Sequence, residues 1–189
     1  MHILIITDDD RVSEDLVRCL ADHTVRSATW HDFRTTSAPP AEVTILIGAS
    51  HSGATGHERL YAREMELIRR SERPILGIGL GAELIVLAFG GKLEKARLAE
   101  PGLLDVAIRR EDPLLASLSG LQLDIPENNF CPIRQLPPEL VVLAESPRGI
   151  EIIRHSERLI YGWEFFPSML TSADDLSQLL SNFLWAANT

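Results

Sequence analysis

Apolar positions in this chain fall into short blocks separated by polar turns. Residues 2–7 open with the continuous run Ile3, Leu4, Ile5 and Ile6, which ends at Thr7 and three successive aspartates, Asp8, Asp9 and Asp10. A run of that kind predicts a strand covered on both faces, as in a parallel sheet. A helix is expected over residues 13–23, where Leu16, Val17 and Leu20 recur at helical spacing behind Ser13 as N-cap. Further strands are predicted at 25–29 and 43–47, with Pro39 and Pro40 in the connection between them, and a small polar loop at 48–56 follows. Residues 57–71 predict an amphipathic helix with Leu60, Tyr61, Met65, Leu67 and Ile68 on its apolar side. Residues 73–81 form a strand running into glycines, and 82–89 an almost wholly apolar helix stopped by Gly90 and Gly91.

The second half changes character. Short strands are predicted at 104–109, 121–125, 141–145, 150–154 and 159–164, the last two joined by a hairpin at 155–158. A closing helix over 174–187 carries Leu176, Leu179, Leu180, Phe183 and Leu184 as its buried stripe, with Ser172 and Asp175 spaced as a capping pair. Strands alternating with helices predict an α/β sheet with a parallel centre. No repeat or low-complexity linker divides the 189 residues, so a single domain over 1–189 is expected.

Composition narrows the classes. Apolar residues make up 45% and charged residues 24%, the balance of a globular chain and not of a disordered or membrane protein. Asp and Glu outnumber Lys and Arg by 27 to 18 with no basic block, so nucleic acid is not an expected partner. The two cysteines, Cys19 and Cys131, form no ligand pair, and no segment reads as a signal peptide or membrane span. A cytoplasmic protein without membrane association is expected.

Candidate chemistry concentrates where the strand ending in Gly77, Gly79 and Gly81 meets a helix. That is the context of a nucleophile elbow, and Gly77, Gly79 and Ala82 also fit a GxGxxA anion-binding turn. The run from Pro74 to Leu84, PILGIGLGAEL, with Gly90, Gly91 and Lys92 after it, resembles the nucleophile segment of class I glutamine amidotransferases, PxLGICLGxQ followed by GGK. The similarity continues through the opening strand with Asp15, Leu16 and Val17, through DPLLASL at 112–118, Leu136-Pro137, VLAES at 142–146, YGWEFFP at 161–167 and QLLSNFL at 178–184. Within the family, the first strand and helix look most like those of anthranilate and aminodeoxychorismate synthase glutaminase subunits. The resemblance implies a flavodoxin-like three-layer α/β fold with a mostly parallel central sheet.

The resemblance also sets the catalytic expectation. Family chemistry uses a cysteine nucleophile, a histidine proton carrier and a glutamate that orients it. Those positions fall on Gly79, Phe166 and Ser168, the last of them deleted if residues 168–171 align with the family's next four. The substrate-contacting glutamine of the elbow is Glu83, the substrate-holding pair falls on Asn128 and Asn129, and the oxyanion loop begins at Gly48 and includes Ser50 and His51. With Leu80, these residues form the candidate pocket. The expectation is a catalytically silent member that works by binding, as a regulatory or partner subunit. It would dock on a synthase-type protein, form a homo-oligomer or sense a small molecule, with no cofactor and no metal implied. Two alternatives stand beside it: an amidotransferase or hydrolase using another nucleophile, Cys131 or a group of the 48–56 loop, and an anion or nucleotide bound at the Gly77 to Gly81 turn. Trp163 and Phe165 are expected to fill the interior.

Overall fold

A computed structural model describes residues 1–7, 14–35, 40–48, 54, 56, 58–94, 97–98, 100–126, 129–130 and 132–189. In chain order the elements are β1 (His2–Thr7), α1 (Glu14–Cys19), β2 (Thr24–Thr29), α2 (Trp30–Thr35), β3 (Val43–Gly48), α3 (Ala62–Arg70), β4 (Ile75–Gly79) and α4 (Leu80–Ala88). The second half contributes β5 (Lys92–Leu93), β6 (Arg97–Leu98), β7 (Gly102–Ile108), β8 (Leu121–Ile125), β9 (Asn129–Phe130), β10 (Ile133–Gln135), β11 (Leu140–Ser146), β12 (Gly149–His155), β13 (Ile160–Trp163) and α5 (Ala173–Ala187).

Nine strands form one sheet in the order β2-β1-β3-β4-β13-β12-β11-β7-β8. The five strands from β2 to β13 run parallel, and an antiparallel meander from β12 to β8 extends them. The parallel half is the part whose strands are continuous apolar runs, because helices cover both of its faces. In β1, Ile3 and Ile5 join one core cluster with Leu16 of α1 and Leu176, Leu180 and Phe183 of α5, while Leu4 and Ile6 join the other with Met65 of α3 and Leu84 and Ile85 of α4. This is the expected three-layer arrangement. Trp163 and Phe165 lie stacked in the first cluster, fully buried, as interior filling.

The element boundaries shift for local reasons. The connection after β2 holds a helix that the apolar pattern misses: α2 is one and a half turns long, and Thr29 starts it by accepting from the Asp32 N–H while its hydroxyl donates to the Asp32 carboxylate. Its Trp30 and Phe33 are buried. The helix expected from residue 57 begins instead with a 3₁₀ turn, Glu58–Tyr61, which leaves Leu60 in solvent and turns Glu64, Met65 and Ile68 inward. Helix α4 starts at Leu80, two residues earlier than its apolar run suggests, so that strand and helix meet at one residue. The expected capping of α5 is present: Ser172 Oγ accepts from the Asp175 N–H at 3.2 Å.

Candidate active site at the strand-to-helix elbow

The elbow is made by Gly79, the last residue of β4 and the N-cap of α4, with φ 57° and ψ −116°. A side chain in that region is strained, and here it would also collide. A Cβ on Gly79 would stand 2.7 Å from the Gly48 carbonyl oxygen and 2.8 Å from Cε2 of Phe166. Gly48 lies directly across from Gly79 in the β3–β4 register, so both glycines sit at the carboxyl end of the parallel sheet. Ligands bind at that end in open α/β sheets. Gly81 fixes the helix close to the sheet, since a Cβ there would fall 2.0 Å from the Leu46 carbonyl oxygen. Leu80 is buried in the first turn of α4.

Phe166 follows β13 and lays its ring against the elbow, while Ser168 is exposed in the 3₁₀ turn Pro167–Met169. Of the candidate residues, the fold therefore brings Gly48, Gly79, Leu80, Glu83 and Phe166 together and leaves Ser168 on the surface. Ser50, His51, Asn128 and Cys131 lie outside the described residues. Asn129 pairs with Leu98 across β9 and β6. The remaining thiol, Cys19, packs between α1 and α5 with Sγ 3.6 Å from Ser177 Oγ.

Charge gathers beside the elbow. Glu83, on the first turn of α4, is buried and accepts the Ala54 N–H on Oε2 at 2.7 Å. Two residues the sequence did not single out accompany it. Glu151 on β12 is paired with Arg148, whose Nη2 and Nε reach Oε2 and Oε1 at 2.8 and 3.1 Å, and its Oε1 also accepts from Ser146 Oγ at 2.6 Å. Glu164 follows β13, and its N–H donates to the Glu151 carbonyl at 2.9 Å. Its Oε2 is shut away from solvent and has no hydrogen-bond partner among the described residues. Burial, reinforced by the negative charges of Glu83 and Glu151 and opposed by Arg148, holds the Glu164 carboxyl well above the usual carboxylate range. Glu164 was legible in principle as the single charged residue in the aromatic run YGWEFFP, where a buried polar group needs a reason.

The cleft of about 350 Å³ lined by His2, Thr24, Arg26, Glu42 and Arg73 lies at the opposite, amino end of the parallel strands. Its Glu42 is already engaged, accepting the His2 N–H at 2.6 Å. Among the described residues, no helix is long and apolar enough to cross a membrane.

A family model described as glutamine amidotransferase class-I matches residues 6–187. A glutamine-hydrolyzing GMP synthase subunit of Methanococcoides burtonii is 34% identical over 133 residues, 70% of this chain and 69% of that protein. The protein of the same name from Pyrococcus abyssi is 37% identical over 111 residues, 58% of each chain, so the match spans little more than half of that relative. Among solved structures, a candidate GMP synthase subunit from Thermoplasma acidophilum superposes with a TM-score of 0.82 at 20% identity, covering 100% of this chain and 94% of the other.

These findings correct the functional expectation. The relatives carry glutamine hydrolysis in their names, which overturns the reading of a catalytically silent binding protein. They also carry the name of GMP synthase, whereas the opening segment had suggested the anthranilate and aminodeoxychorismate synthase branch. The silent reading rested on side-chain identity at three positions. The elbow itself is a backbone structure, and its positive φ, its pairing with Gly48 and its helix N-terminus are all present.

Proposed function

This chain belongs to the class I glutamine amidotransferase family, and on that premise we propose that it is the amidotransferase component of a GMP synthase-type enzyme, hydrolysing glutamine for a separate synthase partner. The observation that carries the reading is the elbow at Gly79, with its positive φ at the β4–α4 junction and Gly48 opposite. Amide hydrolysis passes through a tetrahedral oxyanion, and preorganised N–H donors lower its energy. The first turn of α4 begins at the elbow, and the leading N–H groups of a helix have no partner within it. These groups are the donors this site offers to an oxyanion.

The nucleophile enters from outside position 79, since glycine offers only backbone there. Cys19 is engaged between α1 and α5, which leaves Cys131 as the thiol to test. Phe166 lays an apolar ring against the elbow. The working unit is taken as the whole 1–189 domain docked on its synthase partner in the cytoplasm.

The experiment is co-expression with a synthase partner from the same genome, followed by measurement of ammonia released from glutamine. Release by the complex beyond that of the synthase alone, abolished by Cys131→Ala, is the expected result. A complex that forms but releases no ammonia would sink the glutaminase assignment.

A further inference from the structure

We infer that Glu164 is a positioning residue of the elbow, acting through Glu83: the charge Glu164 carries sets how firmly Glu83 holds the Ala54 amide. The placement is built by two contacting elements. Gly162 of β13 faces Ala82 of α4 so closely that a Cβ on Gly162 would stand 3.1 Å from the Ala82 Cβ. Glu83 is the next residue of the helix, and Glu164 is the next residue on the same face of the strand line. Glu164 is therefore on the side of the sheet that α4 covers, where the charge on Glu83 acts on it.

The two carboxylates have unequal means of support. Glu83 accepts the Ala54 N–H at 2.7 Å, and Ala54 is itself fully buried. Glu164 keeps a buried oxygen without a partner among the described residues. Among the described residues, the charged groups acting on Glu164 are Glu83 from α4, Glu151 from β12 and Arg148 from the turn between β11 and β12, with Arg148 held by both oxygens of Glu151. A neutral Glu164 leaves Glu83 undisturbed on the amide. An ionised Glu164 repels Glu83 in surroundings of low dielectric, where like charges interact strongly. Ala54 is buried in the core cluster that holds Leu80 and Leu84 of α4, so a loosened Ala54 amide loosens the packing of the helix that starts at the elbow.

This inference rests on the elbow being the working site, as proposed above, but its readout is amide exchange, so it fails separately from the glutaminase assignment. Hydrogen exchange of the Ala54 amide in the full chain, corrected for intrinsic rate, is measured across pH 5 to 8.5 for the parent, Glu164→Gln and Glu83→Ala. The parent is expected to lose about tenfold in protection as pH rises, the equivalent of one pH unit of linkage. Glu164→Gln is expected to be flat and protected throughout, and Glu83→Ala, which removes the acceptor, poorly protected at every pH. Glu164→Met serves as a second neutral replacement if the glutamine variant is unstable. A parent profile independent of pH, a neutral variant that keeps the parent's slope, or full protection in Glu83→Ala would each overturn the inference.

Discussion

Asp112 and Glu164 both hold carboxylate oxygen away from water, and the fold treats them in opposite ways. Asp112 opens the turn before Pro113, and its side chain is 1% exposed. Every direction around it is filled by a donor: Leu114 N–H and Tyr161 Oη–H reach Oδ1 at 2.9 Å each, and the Arg154 guanidinium pairs with Oδ2. Glu164 has carboxylates for neighbours and an oxygen with nothing to accept among the described residues. A buried polar group that is fully satisfied makes a structure specific, and one that is left short stores free energy that function can use. The first cluster ties the 112–115 turn to β12 and β13. The second lies beside the elbow.

The largest effect expected from breaking this contrast is at Asp112. Asp112→Ala leaves a guanidinium, a phenol and a backbone N–H without their shared acceptor, and a buried pair broken from one side costs about 3 kcal/mol or more. Arg154 keeps some solvent contact, its side chain being 32% exposed, which holds the cost to the lower end. Urea unfolding should show the midpoint falling with an unchanged slope. A loss below about 1 kcal/mol would mean that the network is decoration rather than a tie.

The opposite sign is expected at Glu164. Its folded-state proton affinity is raised, so between the unfolded carboxyl range and the folded one the native state binds more protons than the unfolded state. Stability is therefore fully present below the unfolded value and is lost as pH rises through the folded one. Glu164→Gln removes that loss. It should match the parent near pH 4 and exceed it by about 1 kcal/mol near pH 8, read from paired denaturation curves. A variant less stable than the parent at both pH values would place Glu164 among the satisfied carboxylates after all.

The same contrast marks how far the sequence could be read. The parallel half was legible because β1, β3 and β4 are buried on both faces, and burial writes itself as an unbroken apolar run. The elbow was legible as Gly79 between an apolar strand and an apolar helix, and the order of motifs along the chain placed it in its family. Short pieces escaped. Helix α2 and the two-residue strands β5, β6 and β9 are too brief to show a period, and they exist through tertiary pairing. The carboxylate clusters escaped for a different reason. Asp112 reaches Arg154 and Tyr161 across 42 and 49 residues, and nothing local marks such a bond. Activity was not legible from the side chains at Gly79, Phe166 and Ser168, and the relatives' names overturn the silence those residues implied.

The finest test of the contrast is Tyr161→Phe, which subtracts one donor from Asp112 and leaves the other two. The phenol is buried, and its proton is held more tightly than usual, by burial first and by Asp112 second. Because Asp112 Oδ1 still accepts from Leu114 and Oδ2 still pairs with Arg154, no charge is orphaned and the cost should be about 0.5 kcal/mol near neutral pH. The phenol adds a second signature. Its raised folded-state affinity means that the parent loses stability as pH climbs past about 10, while the phenylalanine variant lacks that proton and that slope. The two stability curves should therefore converge at alkaline pH. Curves that stay parallel would show that the Tyr161 hydroxyl contributes packing alone, and that Asp112 is held by two donors where the geometry counts three.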